Sequence, residues 1–196
     1  MTKTLYLIRH GFSLHNELYH KIGVDAFRRK EVVDAPLTFL GQQQSIELGQ
    51  QWKEKHKVDL VLVSPLKRTL ETAVNIFGDT KTPIICLEFL REYPIGKDTC
   101  NQRSSIFQMK DEFPQIDFES IMYDKDMYWK EEGETLDELK DRIKQMKLYI
   151  KDRSETNIAI VGHSSHLGQF KDNHISYMEN GESDLKHCHP YEYTFN

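Results

Sequence analysis

The chain has 196 residues, 38% hydrophobic and 29% charged, a balance that excludes a disordered chain and leaves enough length for a sizeable core. Its 26 basic and 31 acidic residues give a net charge of −5, which removes any general attraction for nucleic acid or an anionic membrane. An anionic ligand would have to be held by a local basic pocket. No apolar run approaches the length of a membrane span, and Arg9 interrupts the opening apolar stretch too early for a signal peptide. Cys86, Cys100 and Cys188 are scattered without a CxxC pair, as expected of free thiols in a reducing compartment. The expectation is one cytosolic domain over residues 1–196, without repeats or low-complexity segments.

In chain order, the first strand is predicted at about Thr4–Ile8 and runs into Arg9-His10-Gly11. Residues Glu17–Pro36 are polar, with a basic centre at Arg28-Arg29-Lys30, and read as a loop with a short helix. Thr38 is placed to cap a helix running to about His56, with Gly41, Ser45, Leu48 and Trp52 on one face. A second strand is predicted at Asp59–Val63. Ser64-Pro65 then has the form of an N-cap followed by proline at the first helical position, opening a helix with Leu66, Leu70, Ala73, Val74 and Phe77. A third strand falls at Pro83–Leu87.

Residues Glu88–Gly133 break the rhythm: they are long and irregular, with Pro94, Gly96 and Pro114. A loop of that length in a compact domain is usually functional, and it is expected to cover the carboxyl ends of the strands. Thr135-Leu136-Asp137-Glu138 is a capping box, and Leu136, Leu139, Ile143, Met146 and Ile150 follow at helical steps. A fourth strand, Asn157–Val161, leads into Gly162-His163-Ser164, and Tyr191–Phe195 alternates like an edge strand. Strands alternating with helices imply an α/β three-layer sandwich around a mainly parallel sheet.

Two of these strands therefore deliver a histidine, His10 and His163, to their carboxyl ends, where open α/β sheets bind ligands. With Arg9 and Arg68 in the pattern, the pair points to chemistry on a phosphate.

These motifs give the chain a resemblance to the histidine phosphatase superfamily, the phosphoglycerate mutase-like proteins. It covers nearly the whole chain. It rests on Leu7-Ile8-Arg9-His10-Gly11 with Ser13 and Asn16, and on Asp34-Ala35-Pro36-Leu37-Thr38 with Gly41 and Gln44. Ser64-Pro65-Leu66-Lys67-Arg68-Thr69-Leu70-Glu71-Thr72, Leu90-Arg91-Glu92 and Val161-Gly162-His163-Ser164 complete the set, in order. A narrower similarity, to a branch of these proteins from plants and fungi, runs from Leu90 to Arg103 and extends through Phe113-Pro114, Phe118, Asp126, Trp129 and His187–Glu192. In that pattern Asn101 stands where an aspartate is usual.

The resemblance implies a metal-independent, cofactor-free phosphomonoester hydrolase acting on a small phosphorylated substrate. His10 would attack phosphorus and become a phosphohistidine. Arg9 and Arg68 would clamp phosphate oxygens, His163 would donate to a third, and Glu92 would serve as general acid and then base. Ser13, Asn16, Ser164 and Arg103 are the expected substrate-binding residues. The alternatives are a cofactor-dependent phosphoglycerate mutase and a catalytically idle phospho-ligand or protein-binding module. Oligomeric state is left open.

Other residues have plainer readings. Glu88 and Asp98 are rival carboxylates to Glu92. His15 is placed to face the pocket from one turn beyond His10, with a packing or surface role as its equal alternative, and His166 and Arg91 are further residues that would reach the substrate. His174, His187, Cys188 and His189 match no standard zinc spacing and are expected in a structural tail. Arg28-Arg29-Lys30 reads as a solvated loop.

Overall fold

The computed structural model describes residues 2–175 and 185–196. Five strands form one sheet in the order β3-β2-β4-β1-β5. They are β1 (Lys3–Arg9), β2 (Leu60–Val63), β3 (Ile84–Cys86), β4 (Asn157–Gly162) and β5 (Pro190–Phe195). The first four are mutually parallel, and β5 runs antiparallel along β1 at the edge. This is the expected mainly parallel sheet, closed by the alternating aromatic tail. Among the described residues, no helix is long and apolar enough to cross a membrane.

The period-two alternation of the strands assigns each side chain to a face. Tyr6, Ile8, Val61, Val63, Ala159 and Val161 point to one side. There they pack on Leu70, Ala73, Ile76 and Phe77 of α3 (Lys67–Phe77) and on Ile106 and Met109 of α4 (Ile106–Glu112). Leu5, Leu7, Leu60, Leu62, Ile158 and Ile160 face the other side. They meet Leu139, Ile143, Met146 and Ile150 of α5 (Leu136–Asp152) and Leu167 and Phe170 of α6 (Ser164–Asp172). Side chains of this size each contribute roughly 1.5–3 kcal/mol when fully buried. The sheet is therefore held from both faces, and its strand ends form a rigid platform.

Local signals locate most helices. Thr38 accepts the Gly41 N–H at 3.2 Å and caps α2 (Phe39–Gln51), which ends before His56 and passes into a 3-10 turn at Lys53–Lys57. The Thr135–Glu138 capping box is present, with the Thr135 N–H donating to Glu138 at 2.7 Å. Leu136 is exposed, because it lies in the first turn beyond the core.

The short helix expected within Glu17–Pro36 is present and begins earlier, as α1 (Leu14–Ile22), with 3-10 turns and irregular chain after it. One expectation is corrected. Ser64 does not open α3, which begins at Lys67. The Lys67 N–H is instead capped from a distance by Asp34 Oδ1 at 2.8 Å, while the Ser64 hydroxyl accepts the Leu66 N–H at 3.4 Å and meets His163 Nε2 at 2.8 Å.

Candidate active site

β1 ends at Arg9 and the chain turns abruptly into α1. The turn depends on two glycines meeting backbone to backbone. A Cβ on Gly11 would lie 2.5 Å from the Gly41 oxygen, and one on Gly41 2.0 Å from the Phe12 oxygen. The Phe12 N–H donates to Gln44 Oε1 (2.9 Å) and the Gly11 N–H to Thr72 Oγ1 (3.0 Å), which ties the turn to α2 and α3. His10 is thereby fixed at the strand end, its own N–H held by the Gly162 carbonyl at 3.0 Å.

His10 Nδ1 lies 2.7 Å from the Gly11 carbonyl. A carbonyl only accepts, so Nδ1 carries the hydrogen of the neutral ring and Nε2 keeps its lone pair. Burial pushes the His10 imidazole well below its ordinary pKa, and the charges of Arg68 and Arg9 and the neighbouring His163 and His187 push the same way. The ring is therefore a neutral base among cations.

The His163 ring lies 5.2 Å from that of His10. Its Nε2 meets the Ser64 hydroxyl at 2.8 Å, and its Nδ1 has no partner among the described residues. Burial, then Arg68, holds its pKa well below the ordinary value. Arg68 is almost wholly buried. It donates from Nη1 to the Cys100 carbonyl (2.7 Å) and from Nη2 to Asn101 Oδ1 (2.9 Å). Arg9 donates to the Leu185 carbonyl at 2.9 Å.

Glu92 reaches the site from the 88–133 insertion and docks on the start of α6. Oε1 accepts the Tyr93 N–H (2.8 Å) and the His166 N–H (3.1 Å). Oε2 accepts the Ser164 hydroxyl and the Ser165 N–H, both at 3.3 Å. Of its rivals, Glu88 is committed to Arg91 and Arg103. Asp98 lines the same cavity as Glu92, its carboxyl raised by burial and lowered by Arg28, 3.9 Å away.

Beside these groups lies a cavity of about 410 Å³. Arg9, His10, Asn16, Glu92 and Ser164 line it. Ser13, Arg68 and His163 stand behind the lining, with the Ser13 hydroxyl bonded to His15 and Asn16. Arg103 is a correction. Its guanidinium is enclosed within the insertion, on Glu88 and the carbonyls of Ser104, Tyr123, Asp124 and Lys125, and it does not reach the cavity. Arg91 is likewise buried on Asp126 and Glu88, and His166 does not line the cavity.

His187 corrects the expectation of a structural tail. It lines the cavity, with Nδ1 2.6 Å from the His10 carbonyl, and His15 lines it too. His187 arrives because Cys188 N–H binds the Arg9 carbonyl at 2.9 Å where the chain enters β5. The branch pattern includes His187 but not its place beside His10, a contact that spans 177 positions. Among the described residues no group of three or more His, Cys, Asp or Glu side chains is placed to hold a metal ion.

A neutral imidazole lining a cavity among arginines, at the ends of parallel strands, has the chemistry to attack an anionic phosphorus centre. The fold and site thus define an α/β protein of phosphoryl-transfer type. The comparisons carry this to a family. The family model of the histidine phosphatase superfamily (branch 1) matches residues 5–172, and the chain belongs to that superfamily.

Two Arabidopsis thaliana proteins, a phosphoglycerate mutase-like protein and phosphoglycerate mutase-like protein 1, are each 34% identical to it. Each alignment covers 84% of this chain, and 72% and 69% of those proteins respectively. Among solved structures, the ecdysone phosphate phosphatase from Bombix mori shares the fold at a TM-score of 0.60 and 19% identity, covering 98% of this chain and 88% of that one. The alpha-ribazole phosphatase from Shigella flexneri does so at 0.57 and 23%, covering 84% and 76%.

Proposed function

We propose that this protein hydrolyses phosphomonoesters in two steps, without a metal, through a phosphohistidine at Nε2 of His10. The observation that carries the reading is the His10 Nδ1 contact with the Gly11 carbonyl at 2.7 Å, which reserves Nε2 as the nucleophile. In the first step the Nε2–P bond forms and the ester O–P bond breaks, with the leaving oxygen taking a proton from Glu92. In the second, water gives a proton to Glu92, its oxygen binds phosphorus, and the Nε2–P bond breaks.

Arg9 and Arg68 oppose the charge that builds on the equatorial oxygens, and His163 donates to one of them. Asn16, Ser164 and, through Asn16, Ser13 complete the cradle. The 88–133 insertion and the sheet act as one domain, and the cytosol is the compartment in which its three free cysteines remain reduced.

The test is chemical trapping. A quenched reaction with a phosphomonoester is expected to yield acid-labile, base-stable phosphate on His10, with release of inorganic phosphate. A folded His10→Ala protein is expected to lack both. Phosphate on serine or aspartate, or substantial turnover by folded His10→Ala, would overturn the mechanism. Transfer to a bound phosphoglycerate with no inorganic phosphate released would make the protein a mutase.

A further inference from the structure

The cavity is far larger than a phosphoryl group, and part of its wall is a closed circuit of flat rings. From His10 the circuit runs through His15 (centroids 5.7 Å) and Phe27 (5.9 Å) to Tyr19, which stacks on Phe27 at 5.1 Å with an interplanar angle of 4°. In the other direction it runs through His187 (5.5 Å) and Phe12 (5.7 Å) to His20, which stacks on Phe12 at 5.6 Å. Tyr19 and His20 close it at 6.0 Å, and every ring in it lines the cavity. The steps of hydrolysis use only His10. Beyond the phosphate end, Asp98 and the exposed Lys186 are the charged side chains of the lining among the described residues.

We propose that this annulus is the seat of the substrate's organic part, so that the protein selects phosphomonoesters of apolar, ring-bearing alcohols over small or acidic ones. The inference rests on the hydrolase reading and adds the substrate class. Stacked and edge-on ring contacts favour an apolar ring over water beyond the area they bury. The imidazoles of His10, His15 and His187 are held in the neutral form, the last with its pKa pushed down to about 3, so they add flat surface rather than charge. A carboxylate-bearing alcohol would face Glu92 and Asp98, with Lys186 in solvent as its one partner beyond Arg9 among the charged lining residues. A cavity of 410 Å³ lies in the range that encloses an organic ligand rather than a bare oxyanion.

The experiment compares 3-phenylpropyl phosphate with propyl phosphate, which have leaving alkoxides of matched reactivity. The kcat/KM ratio is expected to favour the phenyl compound at least about tenfold, with 3-phosphoglycerate at or below propyl phosphate. A ratio near one, or a preference for 3-phosphoglycerate, would overturn the proposal. Failure to turn over any of these esters, with no phosphate on His10, would sink the hydrolase reading instead.

Tyr19→Ala and Phe27→Ala are expected to pull the ratio toward one, and Tyr19→Phe to restore it. An equal loss on both substrates would mean that the wall is only structural and would also overturn the proposal. Should the alanine variants not fold, competitive inhibition of the unmodified protein by 3-phenylpropylphosphonate against propylphosphonate reads the same preference. Tighter inhibition by the phenyl compound, again at least about tenfold, is expected, and equal inhibition by the two would overturn the proposal.

Discussion

Asn101 accepts from Arg68 Nη2 at 2.9 Å and donates to the Pro94 carbonyl at 3.1 Å, so the guanidinium proposed to clamp phosphate is held by a neutral partner. An aspartate there would form a charge-assisted bond to the same guanidinium and would place a negative charge against the incoming phosphate. Asn101→Asp is therefore expected to raise KM for an alkyl phosphate, and Ki for vanadate, about tenfold. Unchanged constants would show that Arg68 does not meet the phosphate. Glu92 supports a second residue-scale prediction. A general acid matters most when the leaving alkoxide is poor. Glu92→Gln should slow single-turnover phosphorylation about 10²–10⁴-fold on an alkyl phosphate and much less on p-nitrophenyl phosphate. Asp98 shares the cavity, so Asp98→Asn is the decisive control. If Asp98→Asn alone shows the differential loss, the acid is Asp98.

At the scale of elements, the insertion is the unusual part, and buried arginines hold it. Arg91 bonds to Asp126 (2.8 and 2.6 Å), to Glu88 (2.9 Å) and to the Asn101 carbonyl (2.6 Å). Arg142 of α5 donates to the Phe89 and Arg91 carbonyls, both at 2.9 Å, and so anchors the segment that carries Glu92. Arg103 secures the far side. Arg103→Met removes a buried cation from Glu88 and strips donors from several carbonyls, a change that costs about 3–5 kcal/mol. Its denaturation midpoint should fall, while KM of the folded fraction for propyl phosphate stays within twofold. A tenfold rise in KM at unchanged stability would return Arg103 to the substrate site.

For the whole molecule, the concentration of neutral buried imidazoles has a thermodynamic consequence. His10, His15, His163, His166 and His187 all have pKa values driven below the ordinary 6.5, foremost by burial. In the unfolded chain they titrate near 6.5. Below that pH the unfolded state binds more protons than the native state, so stability falls as pH falls. Each such histidine contributes up to about 1.4 kcal/mol per pH unit in this window. Denaturant midpoints measured from pH 7.5 to 5.5 should drop steeply, and His187→Gln should flatten the slope. A flat profile in the unmodified protein would contradict neutral burial of these rings.

The sequence by itself determined the parts that depend on local periodicity and on short motifs. The four parallel strands, the delivery of His10 and His163 to strand ends, the Thr38 cap and the Thr135 capping box could all be read within a few residues of chain. So could the family, because its motifs are local and ordered. Tertiary structure alone decided which side chains meet. His187 touches the His10 carbonyl across 177 positions, Asn101 takes Arg68 across 33, and Ser64 serves His163 across 99. Arg103 and Ser64 matched motifs that local reading assigns to substrate and helix cap, yet nearby carbonyls and an imidazole claim them. A buried polar group must satisfy its bonds with whatever the fold brings near, and that neighbourhood depends on distant residues rather than on local spacing.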